Sequence, residues 1–157
     1  MSLLCSQGRY GTKATTSLRT LVFSTKNRLP IIDSAWRSRL HEYLGGTIRG
    51  LGGFPEEVGG IADHVHLLVG LKAIHCLADV MRDLKKASSL WVHDTLGFPQ
   101  FAWQEGYAAF TVSATARESV RRYIVTQEAH HQTTTFREEV IDMLEKAGVA
   151  YDPKYLD

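Results

Sequence analysis

Two histidines, a tyrosine and a glutamine are the residues of this chain whose types and spacing could do chemistry. His64 and His66 flank Val65 inside the apolar run IADHVHLLVGL. A strand has a period of two, so both imidazoles project from one face and Val65 from the other. Two neutral imidazoles side by side make half of a divalent-ion site and leave positions open for substrate oxygens. The alternative is a pair of solvent-facing histidines on a half-buried sheet. Asp63, immediately before them, is a candidate carboxylate to orient one ring. Tyr123 and Gln127 stand four residues apart, which on a helix stacks them on one face, so a phenol and an amide carbonyl could address the same ion or phosphate. The alternative is packing, because Val120, Tyr123, Ile124 and Gln127 share one stripe. A phenol with an ordinary pKa of about 10 is a poor nucleophile alone and needs a phosphate polarised by a cation. Together the four residues are equipment for metal-assisted phosphodiester cleavage through a covalent tyrosine intermediate.

Those residues need a frame. The 157 residues are enough for one domain with a sizeable core. Residues 1–16 have no sustained period and read as a mobile lead-in. Leu18 to Thr25 is a strand that stops before Lys26-Asn27-Arg28 and Pro30. Asp33 or Ser34 caps a helix running to about Tyr43 or beyond, and the pairs Gly45-Gly46 and Gly52-Gly53 bracket a short unassigned segment. Glu57 to Gly60 ends a second strand, and Ile61 to Leu71 is a third. Ile74 to Asp94 is a second helix, with Val80, Met81, Leu84, Ser88 and Trp91 on its stripe. Phe101 to Ser113 reads as a fourth strand, with Gly106 as a bulge or close approach. Ala116 to about His131 is a third helix, and Phe136 to Ala147, after a Thr133-Thr134-Thr135 break, is a fourth. The order predicts an α+β, ferredoxin-like (RRM-like) antiparallel sheet with helices on one face and additional C-terminal helices.

Charge is segregated along the chain. The net charge is only +1, yet from Glu128 onward there are seven acids and three bases, against 15 bases and 10 acids before it. A basic body with an acidic tail suits a local stripe of phosphate contacts. Candidates are Lys26 and Arg28 after the first strand, Lys85 and Lys86 on the second helix, and Arg121 and Arg122 beside Tyr123. Trp103, Tyr107 and Phe110 are a candidate base-stacking platform, or simply core aromatics. The His130-His131 pair could also reach a metal, although a helix-end position favoured by the dipole accounts for it. Cys5 and Cys76 form no CxxC pair, which points to a reduced compartment. There is no secretory h-region and no run of roughly 20 apolar residues, so neither export nor a membrane span is expected.

The segments LVFSTKNRLPII, GGIADHVHLLVGL, LKKASSLWVH, FAWQEGYAAFTVS and VRRYIVTQEAHH resemble, in that order, the small single-tyrosine HUH transposases, including the REP-associated tyrosine transposases. The resemblance runs from about Leu18 to Tyr155, and DHVHL followed by YxxxQ is its specific part. It implies the HUH endonuclease fold and a Mg²⁺- or Mn²⁺-dependent enzyme that cuts and rejoins single-stranded DNA. Under it His64, His66 and Gln127 are the metal ligands and Tyr123 the nucleophile, which keeps the 5′-phosphate and frees a 3′-hydroxyl. It also implies a homodimer that recognises DNA hairpins in the bacterial cytosol or nucleoid. A histidine-triad nucleotide hydrolase is disfavoured, since Leu68 stands where its third histidine would be. The competing reading is a domesticated hairpin-binding protein with vestigial cleavage.

Overall fold

The computed structural model describes residues 16–156. Most of the expected lead-in and Cys5 therefore lie outside the described residues. Four strands form one antiparallel sheet: β1 (Thr16–Ser24), β2 (Phe54–Gly60), β3 (His64–Lys72) and β4 (Ala108–Thr111), in spatial order β2-β3-β1-β4. Helices α1 (Ser34–Gly50) and α2 (Leu77–Leu96) supply the two crossovers, which gives the ferredoxin-like plan. Three shorter helices come after the sheet: α3 (Arg117–Val125), α4 (Gln127–His130) and α5 (Phe136–Lys146). No helix among the described residues is long and apolar enough to cross a membrane.

The period-two pattern of the central strands divides the molecule into two sides. Leu21 and Phe23 of β1 and Val65, Leu67, Val69 and Leu71 of β3 face α1 and α2, whose Leu40, Leu44, Ile48, Met81 and Leu84 complete the main core. The alternate residues face the other way. There Leu68 packs with Val112 and Ile124, and Leu18, Val120 and Tyr123 join that smaller cluster. In the same register Ser24 pairs with His64 and Val22 with His66, so both histidines project to the side that carries the C-terminal helices.

Four elements differ from the sequence expectation. Helix α1 runs through Gly45-Gly46, because Leu44 and Ile48 are fully buried on either side and Gly45 lies against Pro55 and Val58; burial outweighs the low helix propensity of glycine. Strand β3 begins at His64 rather than Ile61, since 61–63 form the turn out of β2. Strand β4 spans only Ala108–Thr111. Phe101 and Trp103 instead turn into the core, where Trp103 bridges Thr25 and its indole donates to Ser88 Oγ at 2.9 Å. The expected Gly106 bulge lies in the loop before β4, whose carbonyls at Gln104, Glu105 and Gly106 all accept from Lys85 Nζ. The expected single helix over 116–131 is two, broken at Thr126 (φ −96°, ψ 18°).

Helix α3 reaches the sheet through one close approach. A Cβ on Gly59 would collide with the Ile124 carbonyl and come within 2.8 Å of Ile124 Cγ2. Arg117 pairs with Glu56 at 2.7 Å and Arg121 with Glu57 at 3.3 Å along the same seam. We expect Gly59→Ala to lower stability by about 1–3 kcal/mol through overpacking against α3. Urea unfolding checks this, and an unchanged midpoint would mean that α3 is not seated on β2.

Candidate active site

The site forms where the polar residues of β3 meet the chain that returns over them. His64 and His66 are both 0% exposed, so they are not the solvent-facing pair that is the alternative reading of the sequence. Gln127 opens α4 and Glu139 lies in α5, one turn in from its start; both side chains are buried against the histidines. Phe136, at the start of α5, stacks on the His64 ring with centroids 4.4 Å apart. Helix α5 enters at this angle because Thr135 and Glu138 form a reciprocal capping box at its N-terminus.

The hydrogen bonds fix which nitrogen of each ring faces the centre. His64 Nδ1–H donates to Asp63 Oδ1 at 2.7 Å. Burial works to raise the Asp63 carboxyl, but the bond from His64 and the nearness of His64 and His131 bring it below its ordinary value, so it accepts as a carboxylate. His131 Nδ1–H donates to the Thr134 carbonyl at 2.7 Å. In the neutral form of each ring Nε2 is then the lone pair, and both Nε2 atoms look inward. His64 Nε2 lies 3.3 Å from Gln127 Oε1 and 3.6 Å from Glu139 Oε2. His131 Nε2 lies 3.0 Å and His66 Nε2 3.3 Å from the same Glu139 oxygen. The other Glu139 oxygen accepts from the Tyr123 hydroxyl and, at 3.1 Å, from Gln127 Nε2.

With the rings neutral and Glu139 ionised, such a centre is short of protons. Lone pairs of His64 and His131 face oxygen lone pairs, and of the three imidazoles only His66 can donate to the carboxylate. His66 Nδ1 is itself buried without a partner. Burial pushes Glu139 up to about 7 and His131 down to about 4, and it lowers His66 well below its usual range. A cation among the four groups would resolve this arrangement. The donor set thus fits a divalent metal, and the ligand atoms of His64, His66, His131 and Glu139 all lie within 4.8 Å of one another.

The structure brings together His64, His66, Tyr123 and Gln127 as anticipated, with Asp63 behind His64. Two more members come from outside that set. His131 is the C-cap of α4, as its helix-end reading expects, and it also turns its ring into the cluster. Glu139 carries no sequence signal beyond a polar residue beside Val140 on the face of α5 that packs inward. The basic residues are dispersed. Lys26, Lys86 and Arg122 are exposed, and Arg28 lies over the Phe136 ring at 5.9 Å. Lys85 directs its three donors at loop carbonyls and burial lowers it to about 8, while Arg121 pairs with Glu57 and Glu118. Of the aromatic trio, Trp103 is core, whereas Tyr107 is 41% exposed and Phe110 half-buried.

Comparison with known proteins gives the class to which this geometry belongs. A family model described as "Transposase IS200 like" matches residues 15–127, well over half of the chain. The chain belongs to the IS200-like transposase family. Among curated proteins none matches. The fold is shared with a Deinococcus radiodurans R1 protein named as a transposase, with 24% identity, a TM-score of 0.59, and coverage of 71% of this chain and 91% of that one. It is also shared with a REP-associated tyrosine transposase solved bound to a REP hairpin, with 14% identity, a TM-score of 0.57, and coverage of 73% and 68%. The family match ends at Gln127, so His131 and Glu139 lie beyond it.

The shifted groups give the metal-free site a pH signature. Glu139 titrates higher in the fold than its ordinary 4.5, so its contribution is fully present below 4.5 and is lost as pH rises through about 7. His66 and His131 titrate below 6.5, so their contributions are present above 6.5 and are lost as pH falls, for His131 through about 4. The two trends oppose each other between pH 7 and 4.5. In chelator-treated protein, Glu139→Gln should therefore lose stability more steeply across that window than wild type. Urea unfolding at pH 7, 5.5 and 4.5 measures the slopes, and equal slopes would mean that Glu139 stays ionised throughout.

Proposed function

We propose that the chain cuts and rejoins single-stranded DNA through a covalent 5′-phosphotyrosine at Tyr123. The observation that carries this reading is the gathering of Tyr123, Gln127, His64 and His66 around one buried polar centre on a transposase-family fold. His64, His66 and Gln127 are the proposed ligands of a Mg²⁺ or Mn²⁺ ion, which when bound supplies Lewis-acid polarisation of the scissile phosphate. Asp63 holds His64 in the tautomer that presents Nε2. Gln127 bonds within the same cluster as Tyr123, one helical turn away, which keeps carbonyl and phenol in one locality. Tyr123 forms the new bond to phosphorus as the bond from phosphorus to the 3′-oxygen breaks. The phenolic proton leaves, and the departing strand takes up a proton as its 3′-hydroxyl. The ester bond is exchanged rather than hydrolysed, so a 3′-hydroxyl can reverse the step without an external energy source.

Hairpin DNA is the proposed substrate; a protein of the same fold bound to a REP hairpin supports that choice. Phosphate contacts are assigned to Lys26, Arg28, Lys86 and Arg122, and to Lys85 and Arg121 where they leave their present partners; binding of this kind weakens as salt rises. The acting unit is proposed to be a homodimer in the bacterial cytosol or nucleoid. Light scattering at micromolar concentration should give twice the chain mass, and a monomer would overturn that part.

The nucleophile has a direct test. Wild-type protein incubated with hairpin substrate and Mg²⁺ should form an adduct that survives boiling in detergent. The adduct should carry the label only when the label lies downstream of the cut. Tyr123→Phe should abolish the adduct and retain DNA binding, with stability changed by no more than about 1–2 kcal/mol for one lost hydroxyl hydrogen bond. His64→Ala should abolish cleavage as well. A Tyr123→Phe protein that still forms the adduct would move the nucleophile elsewhere, with Tyr107 the first alternative.

A further inference from the structure

The cluster contains more metal donors than that chemistry uses. We infer that, without DNA, the chain holds a four-coordinate ion of the Zn²⁺ or Co²⁺ type through His64, His66, His131 and Glu139. This rests on the proposed function only in sharing His64 and His66 with it.

One corner of the donor set already has the spacing of a tetrahedral site, and all four ligand atoms lie within 4.8 Å of one another. Zinc bonds to imidazole nitrogen and carboxylate oxygen are about 2.0–2.2 Å, so a tetrahedron of such ligands has edges of about 3.3–3.6 Å. Glu139 Oε2 lies 3.6, 3.3 and 3.0 Å from Nε2 of His64, His66 and His131. Three edges of the tetrahedron are therefore at or close to length. The donors are oriented as ligands, too. His64 and His131 each commit Nδ1–H to an outer acceptor, Asp63 Oδ1 and the Thr134 carbonyl, and so present Nε2 as a lone pair. The outer oxygen of Glu139 is tied to the Tyr123 hydroxyl and the Gln127 amide, so Oε2 is the one directed at the histidines.

Three imidazoles and one carboxylate are a borderline donor set that selects Zn²⁺ or Co²⁺ over Mg²⁺, which takes oxygen ligands in octahedral array. The set also differs from the proposed reactive one in a way that matters. His64, His66 and Gln127 leave positions open for phosphate oxygens, whereas four protein ligands close the site. Helix α5 would bring the closing ligand. The nucleophile hydroxyl bonds to that same carboxylate, so the closed form keeps Tyr123 bound to Glu139.

Co²⁺ titration of the full, chelator-treated chain without DNA tests this. Wild type should develop the intense visible band of four-coordinate Co²⁺, and added Zn²⁺ should bleach it by competition. Glu139→Gln and His131→Gln should each weaken Co²⁺ binding on the order of 10- to 100-fold or more, the scale seen even for loss of outer-shell partners. They should also replace the intense band with the faint one of a six-coordinate ion. Gln127→Ala, which removes one partner of the outer Glu139 oxygen, should weaken Co²⁺ binding less than Glu139→Gln does and keep the intense four-coordinate band. Circular dichroism checks that the variants fold, and Glu139→Asp, which keeps the carboxylate, should retain some of the band should Glu139→Gln fail to fold. A faint band in wild type, or loss of the band on Gln127→Ala but not on Glu139→Gln, would overturn the closed set. Either result leaves the Tyr123 adduct assay untouched. Conversely, absence of the adduct alongside an intact Co²⁺ band would remove the strand-transfer reading and keep the metal site.

Discussion

The side of the sheet away from the main core is organised around one electrostatic constraint: inward-facing lone pairs outnumber the protons available to them. His64 and His131 are committed by their outer hydrogen bonds to present bare Nε2 atoms, and Glu139 places carboxylate oxygens against them in a buried region. In low dielectric such a mismatch costs several times what it would at the surface. The chain contributes three partial remedies: donation from His66, the Tyr123 hydroxyl and the Gln127 amide. A divalent cation is a fourth, and it is the one that satisfies every ring at once. Tyr123 is thereby tied into the same polar network that favours the ion, so the proposed nucleophile and the proposed metal ligands share one set of contacts.

The rest of the fold holds that network in register. Strand β3 is central, paired with β1 on one side and β2 on the other, so His64 and His66 are fixed by ladder hydrogen bonds and by a core in which Val65 and Leu67 are fully buried on the opposite face. Tyr123 sits on a helix held to β2 by the Gly59 approach and two arginine–glutamate pairs. Each exposed pair is worth about a kilocalorie or less, so close packing at Gly59 and Ile124 carries most of the seating. Lys85, by gathering three loop carbonyls, ties the segment before β4 to α2.

How much of this the sequence disclosed depends on how local each signal is. The HxH pair, the YxxxQ pair and the order of strands and helices are short-range patterns, and they give the ferredoxin-like plan and the participants from β3, α3 and α4. The orientation of His64 was readable as well, because Asp63 is its neighbour. Burial of the histidines was not, since it depends on a helix that returns from far along the chain. Glu139 belongs to a helix with an ordinary amphipathic pattern, and nothing in FREEVIDMLEK separates a glutamate under the sheet from one in solvent. The length of β4 was overread for a related reason: Phe101 and Trp103 have the composition of a strand, yet their rings turn into the core against Phe23 and Trp36.

The break at Thr126 sets the C-terminal part of the site physically apart from the segment that the family shares. An uninterrupted helix from Arg117 to His131 would advance about 100° per residue and place His131, eight residues after Tyr123, roughly 80° away around the helix. Residues Thr126 to Thr134 instead fold into a short helix and turns, with His131 Nδ1 closing onto the Thr134 carbonyl. That closure turns His131 Nε2 toward His64 and sets the direction from which α5 returns with Glu139. The matched segment ends at Gln127, immediately after the break. Up to that point the chain supplies two imidazoles, an amide and a phenol, the set proposed to act on a substrate phosphate. Beyond it, residues 128–146 supply the imidazole and the carboxylate that complete the proposed four-ligand set, so α5 is the element on which closure of that set depends.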